Sequence, residues 1–479
     1  MRKETRSRGE PKSWKLTARA QGLTIATETG ILNAVKILHI STADNGGGAA
    51  RSAYRLHDGL RRSGQDSRMY VLDKYTNDPW VTRFQSSRGR IAWVARNARR
   101  LRLNLSFRRY AKTLPSERTF FSEDRTPFYK DACRQLPETE LINLHWMAGF
   151  LDLGAFFGWL PAGMPLVWTL HDMGNFTGGC SQDLGCGKFT EQCGACPQLG
   201  SSDEGDLTRD VWRRKKKYYS TLHSERLHIV TPSRWLGEQV NRSPLLSRFS
   251  RSVIPYGLDL EVFKPRDRHF SREVLGIPQD AKVILFVSNG LHTHLKGFKH
   301  LVSALEGVSS SSGIFLLCLG FGSSPAIEQF PHAHIPSITN DRSLSMVYSA
   351  ADVFVLPSLA DNLPNTMLEA LACGTPVVGF ATGGIPDGVR PEVTGLLAKT
   401  GDSAELRTAI LKILNNDARR AEMSANCRRV AVAEYDLSLQ TSRYVEIYKE
   451  MVGREAGGVV NEVAAHRVAA NSNNSKGEG

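Results

Sequence analysis

Twice along this 479-residue chain, short runs of aliphatic and β-branched residues alternate with helical stretches, and no other feature limits the fold as much. The first series opens at Val35–Ile40 (VKILHI). It passes through a glycine loop into a helix over about Ala49–Ser63, ended by Gly64, and adds strands at Met69–Leu72, Leu141–His145, Leu166–Leu170 and His228–Thr231. The second restarts at Lys282–Val287, with strands at Ile314–Leu319, Asp352–Leu356 and Pro376–Phe380. Helices are read at Gly297–Glu306, around Leu344–Ala350 and at Thr366–Cys373, and helical pattern dominates from Ala404 to Val452. Strands this apolar are buried on both faces, which requires helices on both sides of a parallel sheet. The expectation is an α/β chain with two Rossmann-like, doubly wound domains facing each other across a cleft, and ligands at the carboxyl ends of the strands. The boundaries read as a basic disordered tail over 1–34, an N-terminal domain over 35–255, a linker over 256–265, a second domain over 266–432, a closing helix over 433–453 and a disordered tail over 454–479.

Hydrophobic residues at 41% and charged residues at 23% suit a globular protein, and each half is long enough to bury its own core. The net charge of +13 asks for a partner or a reason. Part lies in the first fifteen residues, and part in Arg213–Lys217 (RRKKK). A larger part lies in Arg83–Lys112, which has no acidic residue and interleaves Ile91, Trp93, Val94, Leu101, Leu103, Leu105 and Phe107 with its arginines. That mixture fits a helix on an anionic membrane surface; the alternative is a solvated helical excursion. Trp146–Leu170 is the most membrane-like stretch, but Asp152, Pro161, Pro165 and several glycines read instead as strand, helix and loop, then strand. No signal peptide is legible, so the cytosol and reduced cysteines are expected, with peripheral attachment to the inner membrane face.

The longest ordered signal is Asp352–Phe380, DVFVLPSLADNLPNTMLEALACGTPVVGF. A buried strand ends at Pro357 and a polar loop follows. A helix starts near Thr366, a candidate N-cap, and its free N–H groups and dipole make an anion site. Asp361 lies in the loop and Glu369 inside the helix, so one carboxylate stands at the cleft mouth and the other deeper. This stretch resembles the second-domain signature of family-4 retaining glycosyltransferases of GT-B fold, and the insertion over Thr177–Pro197 (TGGCSQDLGCGKFTEQCGACP) resembles one seen in a polysaccharide-biosynthesis branch of that family. In that family two acidic residues eight positions apart flank a loop, the second opening E-A-x-A-x-G-x-P-V-V; here they are Asp361, where Glu is commoner, and Glu369, with EALACGTPVV over Glu369–Val378. The resemblance implies a nucleotide-diphosphate sugar as co-substrate, with Asp361 on the sugar hydroxyls and Glu369 on the ribose. It also implies Lys296, of SNGLHTHLKGF (Ser288–Phe298), on the diphosphate. The companion arginine of that loop is replaced by Leu291, so Asn289 or a nearby histidine would assist. Asn365 and Thr366 would add N–H groups against the leaving phosphate. Gly383–Asp387 and Val393–Leu397 also match, in a structural role.

In the N-terminal half, Asp44–Ala50 (DNGGGAA) follows the first strand, and Gly47 and Gly48 let the backbone approach the donor closely. Arg51 is the candidate for an anionic acceptor. His171, at a strand's carboxyl end in LVWTLHD, matches the family's first-domain active-site histidine; Asp172 orients it, caps the next turn or contacts the acceptor, and His145 is a weaker candidate. The resemblance implies retention, with the departing phosphate helping to deprotonate the acceptor. No D-x-D triplet occurs, so no catalytic metal is expected.

Four of the eight cysteines, Cys180, Cys186, Cys193 and Cys196, crowd into one segment, a pattern for structural zinc, free thiols or labile disulfides. The other four read as packing residues. The expected partners are a nucleotide-sugar donor, a glycan or lipid-linked glycan acceptor and an anionic membrane surface, with no nucleic acid. Competing readings are a nucleotide-sugar 2-epimerase or a phosphorylase on the same fold, the latter lacking its cofactor-lysine motif, and a basic zinc-bearing nucleic-acid-binding protein. That last reading leaves Lys296, Asp361 and Glu369 unexplained.

Overall fold

The computed structural model describes residues 35–454 apart from 292, 309–311, 323–324 and 326–327. The disordered tails expected at 1–34 and after Gly453 therefore lie, Arg454 aside, outside the described residues. Among those residues the strands form two wholly parallel sheets. The first contains β1 (Lys36–Ala43), β2 (Asp66–Asp73), β3 (Val81–Arg83), β4 (Leu141–Leu144), β5 (Leu166–Thr169), β6 (Leu227–Thr231) and β7 (Ser250–Val253), in the order β3-β2-β1-β4-β5-β6-β7. The second contains β8 (Lys282–Gly290), β9 (Ile314–Phe321), β10 (His332–Ile335), β11 (Val353–Leu356), β12 (Val377–Phe380) and β13 (Gly395–Ala398), in the order β10-β9-β8-β11-β12-β13.

Both sheets reverse direction of winding once, between β1 and β4 and between β8 and β11. Each reversal leaves a crevice where the loops after the two strands diverge. Helix α1 (Gly48–Arg62) follows β1. Helix α2 (Arg90–Arg108) follows β3 and buries none of its residues. Around β8 to β13 stand α3 (Phe298–Leu305), α4 (Asp341–Ala350), α5 (Asn365–Ala372) and α6 (Ser403–Leu414).

Apolar residues fill both faces of each sheet. Leu38, Ile40, Ile142, Leu144 and Trp168 pack on one side of the first sheet. On its other side Ile37, Leu141, Val167 and Val230 meet Tyr444, Ile447, Tyr448 and Met451 from a helix over 437–454. That helix belongs to the end of the chain yet closes the first domain, with Tyr448 Oη accepting from Asn143 Nδ2 at 2.7 Å. No helix among the described residues is long and apolar enough to cross a membrane, and Trp146–Leu170 folds as loop, helix Leu153–Trp159 and strand.

The RRKKK run is partly internal. Lys215 is 2% exposed and donates to the Gly174 and Thr177 carbonyls, while Arg214 pairs with buried Asp124.

Candidate active site

Loops from both winding reversals converge on one cavity of about 540 Å³, within the range of small-molecule sites. Gly47, Gly48, Arg51 and His171 line it from the first sheet, and Asn289, Lys296, Asp361, Asn365, Thr366 and Glu369 from the second. All ten were singled out by the sequence.

The lysine loop is held by Gly297, whose φ of +70° suits a residue without Cβ. A Cβ there would stand 1.8 Å from the Pro357 carbonyl oxygen, so the backbone after β8 rests directly on the end of β11. Lys296 Nζ thereby reaches Asp361 Oδ2 at 2.5 Å. Ser358 Oγ at 3.3 Å and the Asn362 N–H at 3.1 Å also donate to Asp361. Gly383 and Gly384 lie under the same loop, where a Cβ would meet the Asp361 or Asn362 carbonyl oxygen within 2 Å. The two sides of the cleft also bond directly: Asn365 Nδ2 donates to the Gly48 carbonyl at 3.0 Å, and Asn362 Nδ2 to the His171 carbonyl at 3.0 Å. The N-termini of α1 and α5 thus open on the same space, and neither carries an acid in its first turn. Two positive helix ends converge where an anion would sit.

Glu369 is fully buried. Arg55 of α1 donates to its Oε1 at 2.8 Å, Tyr348 to its Oε2 at 3.0 Å, and Arg51 stands at 3.7 Å. Burial alone would raise its pKa, but the two guanidiniums and the tyrosine hold it below the usual carboxylate value. Arg51 and Arg55 also reach Asp341 at the start of α4, at 2.6 and 3.4 Å. Arg51, expected on the acceptor, is therefore occupied by carboxylates of the opposite domain.

His171 is neutral: burial drives its pKa down to about 3. Both ring nitrogens are engaged by the protein, Nδ1 with Tyr256 Oη at 2.8 Å and Nε2 with His145 Nδ1 at 3.1 Å.

Several expectations are corrected. Asp172 neither orients His171 nor lines the main cavity. It accepts from the Gly174 N–H at 2.8 Å and from Trp146 Nε1 at 3.0 Å, capping its own turn beside a separate recess. Helix α5 begins at Asn365 with Pro364 as its cap, so Thr366 is not the N-cap, because proline's fixed φ suits a helix entry. Leu291 is 2% exposed and packs in the core beneath α3, so that position turns inward and offers the cavity nothing.

The zinc reading of Cys180, Cys186, Cys193 and Cys196 also fails. Among the described residues no group of three or more His, Cys, Asp or Glu side chains is placed to hold a metal ion, and all four thiols are free. Cys193 Sγ instead accepts the Gly178 N–H at 3.1 Å. Burial raises all four, Cys193 to about 12. The insertion is pinned by hydrogen bonds, among them Lys188 Nζ to the Gly194 and Ala195 carbonyls, and its Ser181 and Gln182 reach the cavity wall.

Residues absent from the sequence reading complete the site: Tyr256, Asn362, Asp341 and Arg55. Arg55 stands one helical turn from Arg51, a spacing that reads equally well as a solvated face.

The fold is GT-B. Over 87% of its length the chain superposes on sucrose-phosphate synthase from Thermosynechococcus elongatus (TM-score 0.60, 20% identity, 99% of that chain). It superposes to the same extent on Anabaena HepE in complex with UDP and glucose (TM-score 0.57, 16% identity, 99% of that chain). Residues 281–416 match the family model for glycosyl transferases group 1. Over 205 residues the chain is 34% identical to D-inositol 3-phosphate glycosyltransferase of Geodermatophilus obscurus, covering 38% of this chain and 43% of that protein. The chain thus spans less than half the length of the curated relatives it matches.

Proposed function

We propose that the chain is a retaining glycosyltransferase that moves a sugar from a nucleotide-diphosphate donor to a glycan acceptor in cell-surface polysaccharide biosynthesis. The observation that carries this reading is the convergence of Lys296, Asp361, Glu369 and two helix N-termini on one cavity at both winding reversals. Lys296 and the N–H groups of Asn365 and Thr366 take the diphosphate and stabilise the charge it gains on leaving. Asp361 accepts from hydroxyls of the transferred sugar, and Glu369, kept ionised by Arg55 and Arg51, accepts from the ribose. The departing phosphate takes the acceptor proton. No protein base is required for that step, which suits a His171 whose nitrogens are both engaged.

The relatives' name specifies an inositol phosphate acceptor. The wall here favours an uncharged, hydroxyl-bearing one. Among the described residues lining the N-terminal side, Arg51 is the sole cation and it is held by Asp341, while Ser181, Gln182 and Asn45 are neutral.

A lipid-linked acceptor at the inner face of the membrane agrees with α2. Ile91, Val94, Leu101 and Leu105 recur at helical spacing, all more than half exposed, in a helix without acidic residues. Apolar side chains flanked by arginines insert at an anionic interface.

Calorimetric binding of UDP, GDP and ADP and their sugar conjugates, to the native chain and to Lys296→Ala, tests the donor site. One nucleotide should bind at micromolar level and weaken at least tenfold in the variant. No binding to any of them by folded protein would refute the assignment.

A further inference from the structure

Behind the cavity wall runs an unbroken line of imidazoles. Tyr256 Oη meets His171 Nδ1 at 2.8 Å, His171 Nε2 meets His145 Nδ1 at 3.1 Å, and His145 Nε2 meets His39 Nδ1 at 2.9 Å. The three rings belong to neighbouring strands, His39 from the middle of β1, His145 just after β4 and His171 just after β5. All three are buried, and burial keeps each neutral. The line ends blindly: His39 is 0% exposed and its Nε2 has no partner among the described residues, the next ring being His57 at 6.0 Å between centroids, itself bonded to Ser67 Oγ through Nδ1.

A neutral imidazole has one N–H and one lone pair, so a linear chain of three has only two polarities. In one, Tyr256 donates to His171, each histidine donates onward from Nε2, and His39 is left with a buried N–H that finds no acceptor. In the other, every histidine donates from Nδ1 toward the cavity, His39 is left with a bare lone pair, and Tyr256 Oη accepts from His171. An orphaned buried N–H is the rarer and costlier defect. The blind end therefore selects the second polarity, and the Tyr256 hydroxyl proton, no longer used by His171, turns into the cavity that Tyr256 lines.

We propose that Tyr256 is a substrate-contacting hydrogen-bond donor to a hydroxyl or ring oxygen of a bound sugar, and that His171, His145 and His39 are positioning residues that fix the direction of its hydroxyl. This rests on reading the cavity as a sugar-nucleotide site. Nothing in it moves a proton between residues; the chain sets orientation alone.

The tautomers are measurable without any ligand. In protein labelled with 15N-histidine, long-range 1H–15N spectra, assigned by single substitutions, should show His171, His145 and His39 all as the Nδ1–H form, the less common one in water. His171 as Nε2–H or as imidazolium would overturn the proposal. In His39→Gln the terminal amide offers both a donor and an acceptor, so His171 should populate both tautomers; a single Nε2–H form there would equally count against it. Tyr256→Phe should leave the affinity for UDP unchanged and lower kcat/KM for the sugar nucleotide by roughly tenfold or more, the usual weight of one hydrogen bond to substrate. Unchanged kcat/KM would refute the donor role. If the native protein bound no nucleotide at all, the reading of the cavity itself would fall, and the tautomer spectra would show whether the chain's polarity had nevertheless been read correctly.

Discussion

Replacing Arg55 with methionine tests whether Glu369 is ionised by its partners or in spite of its surroundings. Arg55 lies 12% exposed between Glu369 at 2.8 Å and Asp341 at 3.4 Å, and Glu369 is 1% exposed. Removing one member of a buried ion pair costs about 3–5 kcal/mol, because the other charge is left in a medium that solvates it poorly. Glu369 keeps the Tyr348 hydroxyl and a distant Arg51, so the lower end, about 3 kcal/mol, is expected, a drop in melting temperature on the order of 5 °C. The pH dependence is the sharper measurement. In the native chain Glu369 has a lowered pKa, so its contribution to stability is present above the unfolded value and lost as pH falls through the folded one. In Arg55→Met burial, the largest influence on this group, would prevail and raise the pKa. The carboxylate then costs stability at neutral pH, and protonation relieves that cost. Melting curves of both proteins from pH 7.5 to 5 should therefore converge as pH falls. A gap that stays constant across that range, or no gap at pH 7.5, would show that Arg55 does not control Glu369.

Native stability should itself fall between about pH 6.5 and 4. His39, His145 and His171 are neutral when folded and protonate once unfolded, at about 1.4 kcal/mol per pH unit each; an unchanged melting temperature from pH 7 to 5 contradicts their burial. Gly297→Ala, with φ +70° and a Cβ 1.8 Å from a carbonyl oxygen, should lose nucleotide binding or soluble expression. Gly276→Ala, with φ +66° and open space, should cost only about 1 kcal/mol, and comparable melting curves for the two would refute the close-approach argument. Ile91→Glu with Leu101→Glu should abolish sedimentation with phosphatidylglycerol vesicles and spare nucleotide affinity; persistent vesicle binding removes α2 as the contact. A strong chelator should leave the melting temperature unchanged, and stoichiometric zinc by elemental analysis would restore a metal role for Cys180, Cys186, Cys193 and Cys196.

What the chain discloses in one dimension follows from how local each signal is. The central strands β1, β4, β5, β8, β9, β11 and β12 are covered on both faces and read as apolar runs. The strands that were missed, β3 (VTR), β7 (SRSV), β10 (HAHI) and β13 (GLLA), are the four sheet edges: all are short, and the first three are half-covered and carry no such run in their composition. Lys296, Asp361 and Glu369 were legible because each sits in a strand–loop–helix unit whose local geometry fixes where its side chain goes. The cysteine cluster misled for the same reason. Close spacing in sequence suggests a common target, but four positive-φ glycines, Gly179, Gly185, Gly187 and Gly194, turn the segment repeatedly, and among the described residues no three of the thiols are placed to share a metal ion.

The features that escaped the sequence are those created by strand order. His39 and His145 are 106 positions apart, and Arg55 and Glu369 are 314 apart. They meet only because β1 lies beside β4 and because α1 enters the cleft opposite α5. The same reversal of winding that opens each crevice also brings the first strand of a sheet next to its fourth. Residues on those two strands are thus forced into contact just behind the site. In this chain His39 of β1 and His145 just after β4 meet there, and His171 just after the neighbouring β5 extends the line. Their uniform protonation state follows from the burial that the doubly wound sheet imposes, and their hydrogen-bond direction from the one atom at the end of the line that has no partner among the described residues.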